Sequence, residues 1–300
     1  MGLQQDGPSD ATAKGSAFTQ AYYAAAAAGE DRIESEVVKI DNLSQKMKQF
    51  TQHDPNRAMK ENLAARIAQH VRLTAKDVKQ AQIVDVGCGV GTDIGMMLAA
   101  MPECAGMKGV DLMDSVLEQA RQDYPAPTEF LKGDIHDLHF FEDSSQDVVR
   151  CSRVLIHAQD LRKAVDEMIR ILKPGGLAAF VEGDASKFSL ETEDDTVRKV
   201  GEAVNRSMMQ LLRNPATASE VYEYAKGHSA VEGVAIESDA QFFASGPALE
   251  QAMAAYRPRL EALVAKGDIS QAEMDRFTSA FDSGDAKLPC TLFTVSFTKK

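Results

Sequence analysis

The spacing of apolar residues divides the chain into three stretches. In the first, a helical pattern begins near Phe18 and becomes regular after Pro55, where Met59, Leu63 and Ile67 stand four apart and Val71 continues the stripe. Proline suits a first helical turn, so the spacing predicts an amphipathic helix that packs as a cover on the main domain. In the second stretch, from Gln82, short β-rich runs bounded by glycine, aspartate or proline alternate with amphipathic helices. That alternation predicts parallel βαβ units, with strands over 82–86, 106–111, 128–132, 146–151 and 177–182. The clearest helix covers 160–172, where Leu161, Ala164, Val165, Met168, Ile169 and Leu172 share a face and Lys173-Pro174-Gly175-Gly176 stops it. In the third stretch, after Asp184, the alternation gives way to helical patterns over 191–213, 217–226, 247–265 and 270–281. A mixed segment between the second and third of these ends at Phe243, and an alternating run from Cys290 to Phe297 reads as a last strand.

The expected architecture is a doubly wound α/β core over 80–184, preceded by a polar N-terminus over 1–15 expected to be mobile and a helical cover over 16–79. A helical insertion or lid over 185–245 follows, then C-terminal helices and a strand over 246–300 that completes the sheet.

Composition narrows the partners. The 300 residues are 44% hydrophobic, and the formal charge is −12. A field of that sign repels phosphate backbones and anionic membrane surfaces, so nucleic acid and membrane are unexpected partners. Cys88, Cys104, Cys151 and Cys290 have neither metal nor disulfide spacing, and no charged-then-apolar leader precedes them. These features predict a reduced, cytoplasmic compartment.

The chemistry concentrates in Ile83-Val84-Asp85-Val86-Gly87-Cys88-Gly89-Val90-Gly91-Thr92, an apolar strand that runs into a Gly-x-Gly-x-Gly turn and then a helix. Glycines let backbone approach a ligand closely, and a helix start offers free amides. A pyrophosphate loop needs a third small residue at Thr92 or Ile94, depending on register, and neither fits. The second strand ends Gly109-Val110-Asp111-Leu112, where an acceptor-only carboxylate can take both hydroxyls of a ribose. The third ends Gly133-Asp134-Ile135, where a carboxylate can accept an adenine amino group beside an aliphatic side chain.

These motifs, taken with Asp147-Val-Val-Arg-Cys-Ser-Arg153-Val-Leu-Ile-His157 and Leu172-Lys-Pro-Gly-Gly176, resemble in order and spacing the class I methyltransferases of the ubiquinone/menaquinone-type (type 11-like) group. The resemblance covers about 80–184. It implies a seven-stranded, Rossmann-like sheet of order 3-2-1-4-5-7-6 and S-adenosylmethionine as cofactor. Carried over by position, Asp85, Gly87, Gly89 and Gly91 border the methionine part, with Cys88 in the same loop. Asp111 takes the ribose, Leu112 the adenine face, Asp134 with Ile135 the adenine edge, and Arg153 the methionine end. The implied reaction is methyl transfer to an oxygen, nitrogen or carbon of a small-molecule acceptor.

A sulfonium methyl is already electrophilic, so the protein mainly aligns a nucleophile and excludes water. For a hydroxyl acceptor, His157 is the candidate base because it follows the fourth strand, and an ordinary imidazole would titrate near ~6.5. Tyr22 and Tyr23 are candidate substrate contacts, with packing under the cover as the equal alternative. His136 and His139 with Asp134 and Asp137 sit where adenine recognition is expected and make no diagnostic ligand set, so no metal is expected. The competing functions are an NAD(P)-dependent oxidoreductase and a non-catalytic adenosyl-binding protein.

Overall fold

The computed structural model describes residues 44–45, 47–48, 54, 56–210, 212–238, 242–243, 247–289 and 292–300. Tyr22 and Tyr23, the 1–15 terminus and Cys290 lie outside them. The chain divides into two compact units, and each is described by itself.

The larger unit takes in residues 43–187, 213–239 and 291–300. Its centre is a seven-stranded sheet built from β1 (Gln82–Val86), β2 (Gly106–Asp111), β3 (Glu129–Lys132), β4 (Gln146–Ser152), β5 (Leu172–Gly183), β7 (Val231–Glu237) and β10 (Leu292–Lys299). The order is β3-β2-β1-β4-β5-β10-β7, with β10 antiparallel to both neighbours, as the expected 3-2-1-4-5-7-6 order requires.

Both faces of the sheet are covered, which is why its central strands are mostly apolar, interrupted by the buried charges of Asp85, Arg150 and Glu182. On one face Ile83, Val148, Ala179 and Val181 pack against α1 (Arg57–Thr74), α2 (Thr92–Ala100) and α3 (Asp114–Asp123). On the other, Val84, Val86, Val149, Cys151 and Phe180 pack against α4 (Leu161–Ile171) and α6 (Thr217–Gly227). α4 is capped by Asp160, whose side chain accepts from the Lys163 amide at 3.0 Å.

The smaller unit comprises the described parts of 188–212 and 240–290. Here α5 (Asp195–Met209), α7 (Pro247–Lys266) and α8 (Gln271–Asp282) bury Val197, Val200, Val204, Leu260 and Phe277 against one another. A three-stranded sheet of β6 (Glu191–Thr192), β9 (Ala286–Pro289) and β8 (Phe242–Phe243) accompanies them. α8 begins with a reciprocal capping box between Ser270 and Glu273.

Two expectations need correction. The 185–245 stretch is not one helical insertion, because 213–239 belongs to the sheet unit and supplies α6 and β7. β7 escaped notice because its alternation is blurred: Gly233 sits at φ +64° and the β7–β10 register shifts between Ser296 and Thr298. Nor does the Lys173-Pro174-Gly175-Gly176 stop separate helix from strand. The chain enters β5 at Leu172, and the four residues form an irregularity within the ladder to β4.

Phe180 is fully buried at the centre of the second face and stacks on Phe297 with centroids 5.6 Å apart. Phe180→Ala should lower the unfolding free energy by ~3–5 kcal/mol in urea titration, the usual cost of truncating a core aromatic. A loss below ~1 kcal/mol would show that the two rings do not join β5 to β10.

Candidate functional site

The glycine turn lies at the C-terminal end of β1, with Gly87, Gly89 and Gly91 at φ +74°, +53° and +78°. The Gly87 and Cys88 amides donate to the Val110 carbonyl at 2.7 and 2.9 Å, so the turn is tied to the end of β2. A Cβ on Gly87 would lie 2.1 Å from Cγ2 of Val154. Glycine is therefore demanded here by contact with the loop after β4 as well as by backbone conformation. A Cβ on Gly109 would lie 2.7 Å from Cys88 Sγ. The Cys88 thiol thus packs against β2, and burial pushes its pKa well up.

Asp111 ends β2 and points into the turn. Its Oδ2 accepts from the Gly89 amide at 2.8 Å and its Oδ1 from the Met113 amide at 3.0 Å. Burial pushes its pKa up, and these amides offset part of that. The Leu112 amide adds a third bond, and the carboxylate still has acceptor capacity for a ligand hydroxyl. Leu112 follows, half-buried.

At the end of β3, Asp134 Oδ1 accepts from the His136 amide at 2.8 Å and faces His136 Nδ1 at 2.7 Å, while His136 Nε2 accepts from the Asp160 amide at 3.2 Å. This network assigns the ring proton to Nδ1 and engages both nitrogens, so the Asp-Ile-His run is a brace between β3 and α4. Ile135 is half-buried against the core.

Beneath the turn lies a chain of buried charges. Asp85 and Arg150 are register partners in β1 and β4, and Arg150 Nη1 reaches Asp85 Oδ1 at 2.9 Å. Arg150 Nη2 stands 2.7 Å from Asp93, in the first turn of α2. Lys60 of α1 is 3.1 Å from Asp93 and 3.0 Å from Asp54, and Asp54 is 2.9 Å from Arg153. Burial raises all three carboxyls, but for Asp93 the Arg150 and Lys60 charges outweigh it and hold the pKa well below the usual range. The Arg153 and Lys60 charges do the same for Asp54. Asp85 is pushed up, since burial and the like charge of Asp93 exceed the pull of Arg150. Asp85 thus reaches the site as the anchor of an ion-pair chain that also holds Arg153.

Arg153 follows β4 in the left-handed region at φ +59°, its amide donating to Val181 O at 2.8 Å. His157 closes the same loop, half-buried. Burial, then the charge of Arg213, depresses its imidazole to about 4. It is therefore neutral at pH 7 and does not titrate near 6.5. Sequence reasoning missed Asp54, Lys60, Asp93 and Arg150, and also Glu182 and Asn214, whose side chains bond the backbone of the loop after β4. A charge inside an apolar strand, as in Val149-Arg150-Cys151 or Val181-Glu182-Gly183, was the available signal, because a buried charge demands a partner.

Comparison with known proteins agrees with this fold. Residues 84–180 match the family described as methyltransferase domain. The sheet unit carries a methyltransferase domain. An uncharacterized 37.1 kDa protein in transposon TN4556 of Streptomyces fradiae is 37% identical over 135 residues, covering 44% of this chain and 39% of that protein. A demethylmenaquinone methyltransferase of Chlorobaculum tepidum is 34% identical over 115 residues, 38% of this chain and 46% of that enzyme. This chain thus spans less than half the length of either relative. The crystal structure of YcgJ from Bacillus subtilis shares the fold with a TM-score of 0.53 at 19% identity, covering 78% of this chain and 98% of that one. Among the described residues, no helix is long and apolar enough to cross a membrane.

The charge chain makes a sharp prediction for this methyltransferase domain. Arg150→Met leaves Asp85 uncompensated and should cost ~3–5 kcal/mol in urea unfolding. Asp85→Leu added to Arg150→Met should restore at least half of that, since an apolar pair of similar volume is tolerated where a lone charge is not. No recovery in the double variant would mean that Asp85 is not the partner that matters.

Proposed function

We propose that this methyltransferase domain binds S-adenosylmethionine over the Gly87–Gly91 turn and transfers its methyl group to a small-molecule acceptor. The observation that carries the reading is the turn itself: three glycines at positive φ open one strand end, and Asp111 closes on it with acceptor capacity left for a ligand hydroxyl. The donor set fits the group, with hydroxyl acceptors at Asp111, an aliphatic face at Leu112, an exposed carboxylate at Asp134 beside Ile135, and a cation at Arg153 for a carboxylate. When bound, the cofactor supplies an electrophilic methyl on a sulfonium. The protein's part is to hold that methyl in line with the acceptor and to keep water out. A small quinone-like acceptor is supported by the relative named for demethylmenaquinone. In this reading His157, neutral at working pH, receives the proton of a hydroxyl acceptor, and the enzyme works in a reduced, cytoplasmic compartment.

Calorimetry with S-adenosylhomocysteine tests the binding site. The wild type should bind it and NADH should give no heat, while Asp111→Ala should weaken binding ~10- to 100-fold by removing charge-assisted bonds worth ~1.5–3 kcal/mol each. Equal affinity in a folded variant would place the ribose elsewhere.

The proton-transfer role has its own test, with labelled S-adenosylmethionine and a metabolite extract as acceptor source. His157→Ala should keep cofactor affinity and lower turnover ~10²–10⁴-fold. Because burial depresses the imidazole to about 4, the neutral form exists above that value, and the wild-type rate should fall only as pH drops toward it. A rate within about threefold of wild type, below even the weakest positioned base, would reject the role.

A further inference from the structure

The loop that carries Arg153 and His157 has no secondary structure of its own beyond one short turn at Leu155–His157, yet its polar backbone is held from two sides. From β5, Glu182 Oε1 accepts the amides of Val154 and Leu155, each at 3.0 Å, and a third bond comes from the Ile156 amide. From the segment that re-enters the sheet unit before α6, Asn214 Nδ2 donates to the carbonyls of Leu155 at 2.8 Å and Ala158 at 2.9 Å, and its own amide donates to Ile156 O at 3.3 Å. One side chain takes the loop's donors and the other its acceptors. Between them they set the position of Val154, which bears directly on Gly87 of the ligand turn.

We propose that Glu182 and Asn214 are positioning residues of the methyltransferase site: they clamp the 153–158 backbone so that Val154 supports the glycine turn and Arg153 and His157 face the ligand. The proposal rests on the S-adenosylmethionine reading for its ligand, though not for the clamp itself. Two features argue against a merely structural carboxylate. Glu182 is fully buried, where an apolar residue would cost nothing to desolvate, yet it spends its charge on three amides of one loop. The Val154 and Leu155 amides both bond to Oε1, while Oε2 is buried without a hydrogen-bond partner. Burial pushes its carboxyl up to about 7, although the amides and Arg153 pull the other way. A proton on Oε2 leaves Oε1 accepting, so the clamp survives protonation, and glutamine, with its carbonyl at Oε1, should reproduce it.

The test combines amide hydrogen exchange of the 150–160 segment with S-adenosylhomocysteine calorimetry on the full chain. Asn214→Ala should raise exchange of amides 154–158 at least tenfold, leave α4 and β10 unchanged, and weaken S-adenosylhomocysteine ~5- to 50-fold. Asn214→Asp, which sets a carboxylate against two carbonyls, should do more. Glu182→Gln should stay within threefold of wild type in both readouts, and Glu182→Ala should not. If Glu182→Ala fails to fold, the Asn214 pair decides. Unchanged exchange in Asn214→Ala, or faster exchange with affinity within twofold of wild type, overturns the proposal. A wild type that binds no S-adenosylhomocysteine overturns the methyltransferase reading and the positioning role with it, and the exchange arm, which needs no ligand, tells that failure apart from a loop that was never clamped.

Discussion

The Asp85–Arg150 pair is the constraint on which the site depends. A guanidinium and a carboxylate facing each other inside a sheet covered on both faces are costly to desolvate, and neither can be left alone. Their presence forces the rest of the chain of charges into place. Arg150 needs a second anion, which α2 supplies from its first turn as Asp93. Asp93 needs a further cation, which α1 supplies as Lys60, and Lys60 needs Asp54, which in turn fixes Arg153. Three cations and three anions thus alternate from the floor of the sheet to the rim of the glycine turn. α1 is therefore more than a cover: without Lys60 the helix that begins at the turn would lose part of its charge balance.

The same turn is buttressed on its other side by packing and hydrogen bonds instead of charge. Val154 occupies the space that any Cβ at Gly87 would take, and the backbone behind Val154 is held by Glu182. Asp184, two residues on, accepts from the Ser186 and Ser219 amides at 3.0 and 3.2 Å and joins the end of β5 to the start of α6. The excursion that leaves the sheet unit after Lys187 and returns at Arg213 is therefore pinned near both ends by buried carboxylates or amides.

Much of this was legible in the residues because the strongest signals were local. The period of Met59, Leu63, Ile67 and Val71, the apolar run into Gly87, and the face of α4 each reflect one element burying one side, and all three are found where the spacing puts them. The position of Asp111 at the end of β2, bonded to the glycine turn, was legible because strand and turn are local patterns. What stayed hidden was non-local. Arg150 and Lys60 sit in otherwise apolar patterns, and only the fold shows that they meet. Asn214 lies in a polar connection with nothing to distinguish it. β7, an edge strand with two consecutive exposed residues, has a weak alternation that is completed only by its pairing to β10. The depression of His157 likewise depends on burial and on Arg213, which a linear reading cannot place together.

That depression changes where the rate of such a site must come from. An imidazole titrating at about 4 is neutral throughout the working range, but it is a feebler proton acceptor than one near ~6.5, and base strength scales with pKa. A positioned base contributes ~10²–10⁴-fold, or ~2.7–5.5 kcal/mol of barrier, at best. Alignment of two reactants contributes ~7–11 kcal/mol when the geometry is held. A weak base therefore shifts the weight of catalysis onto geometry, and geometry at the C-terminal ends of β1 and β4 is what the molecule invests in. Six alternating charges fix the floor, and a carboxylate and an amide fix the loop above it. Under the proposed mechanism an acceptor whose nucleophilic atom needs little help losing a proton suits such a site better than an aliphatic alcohol, because the proton transfer assigned to His157 is then the step least needed.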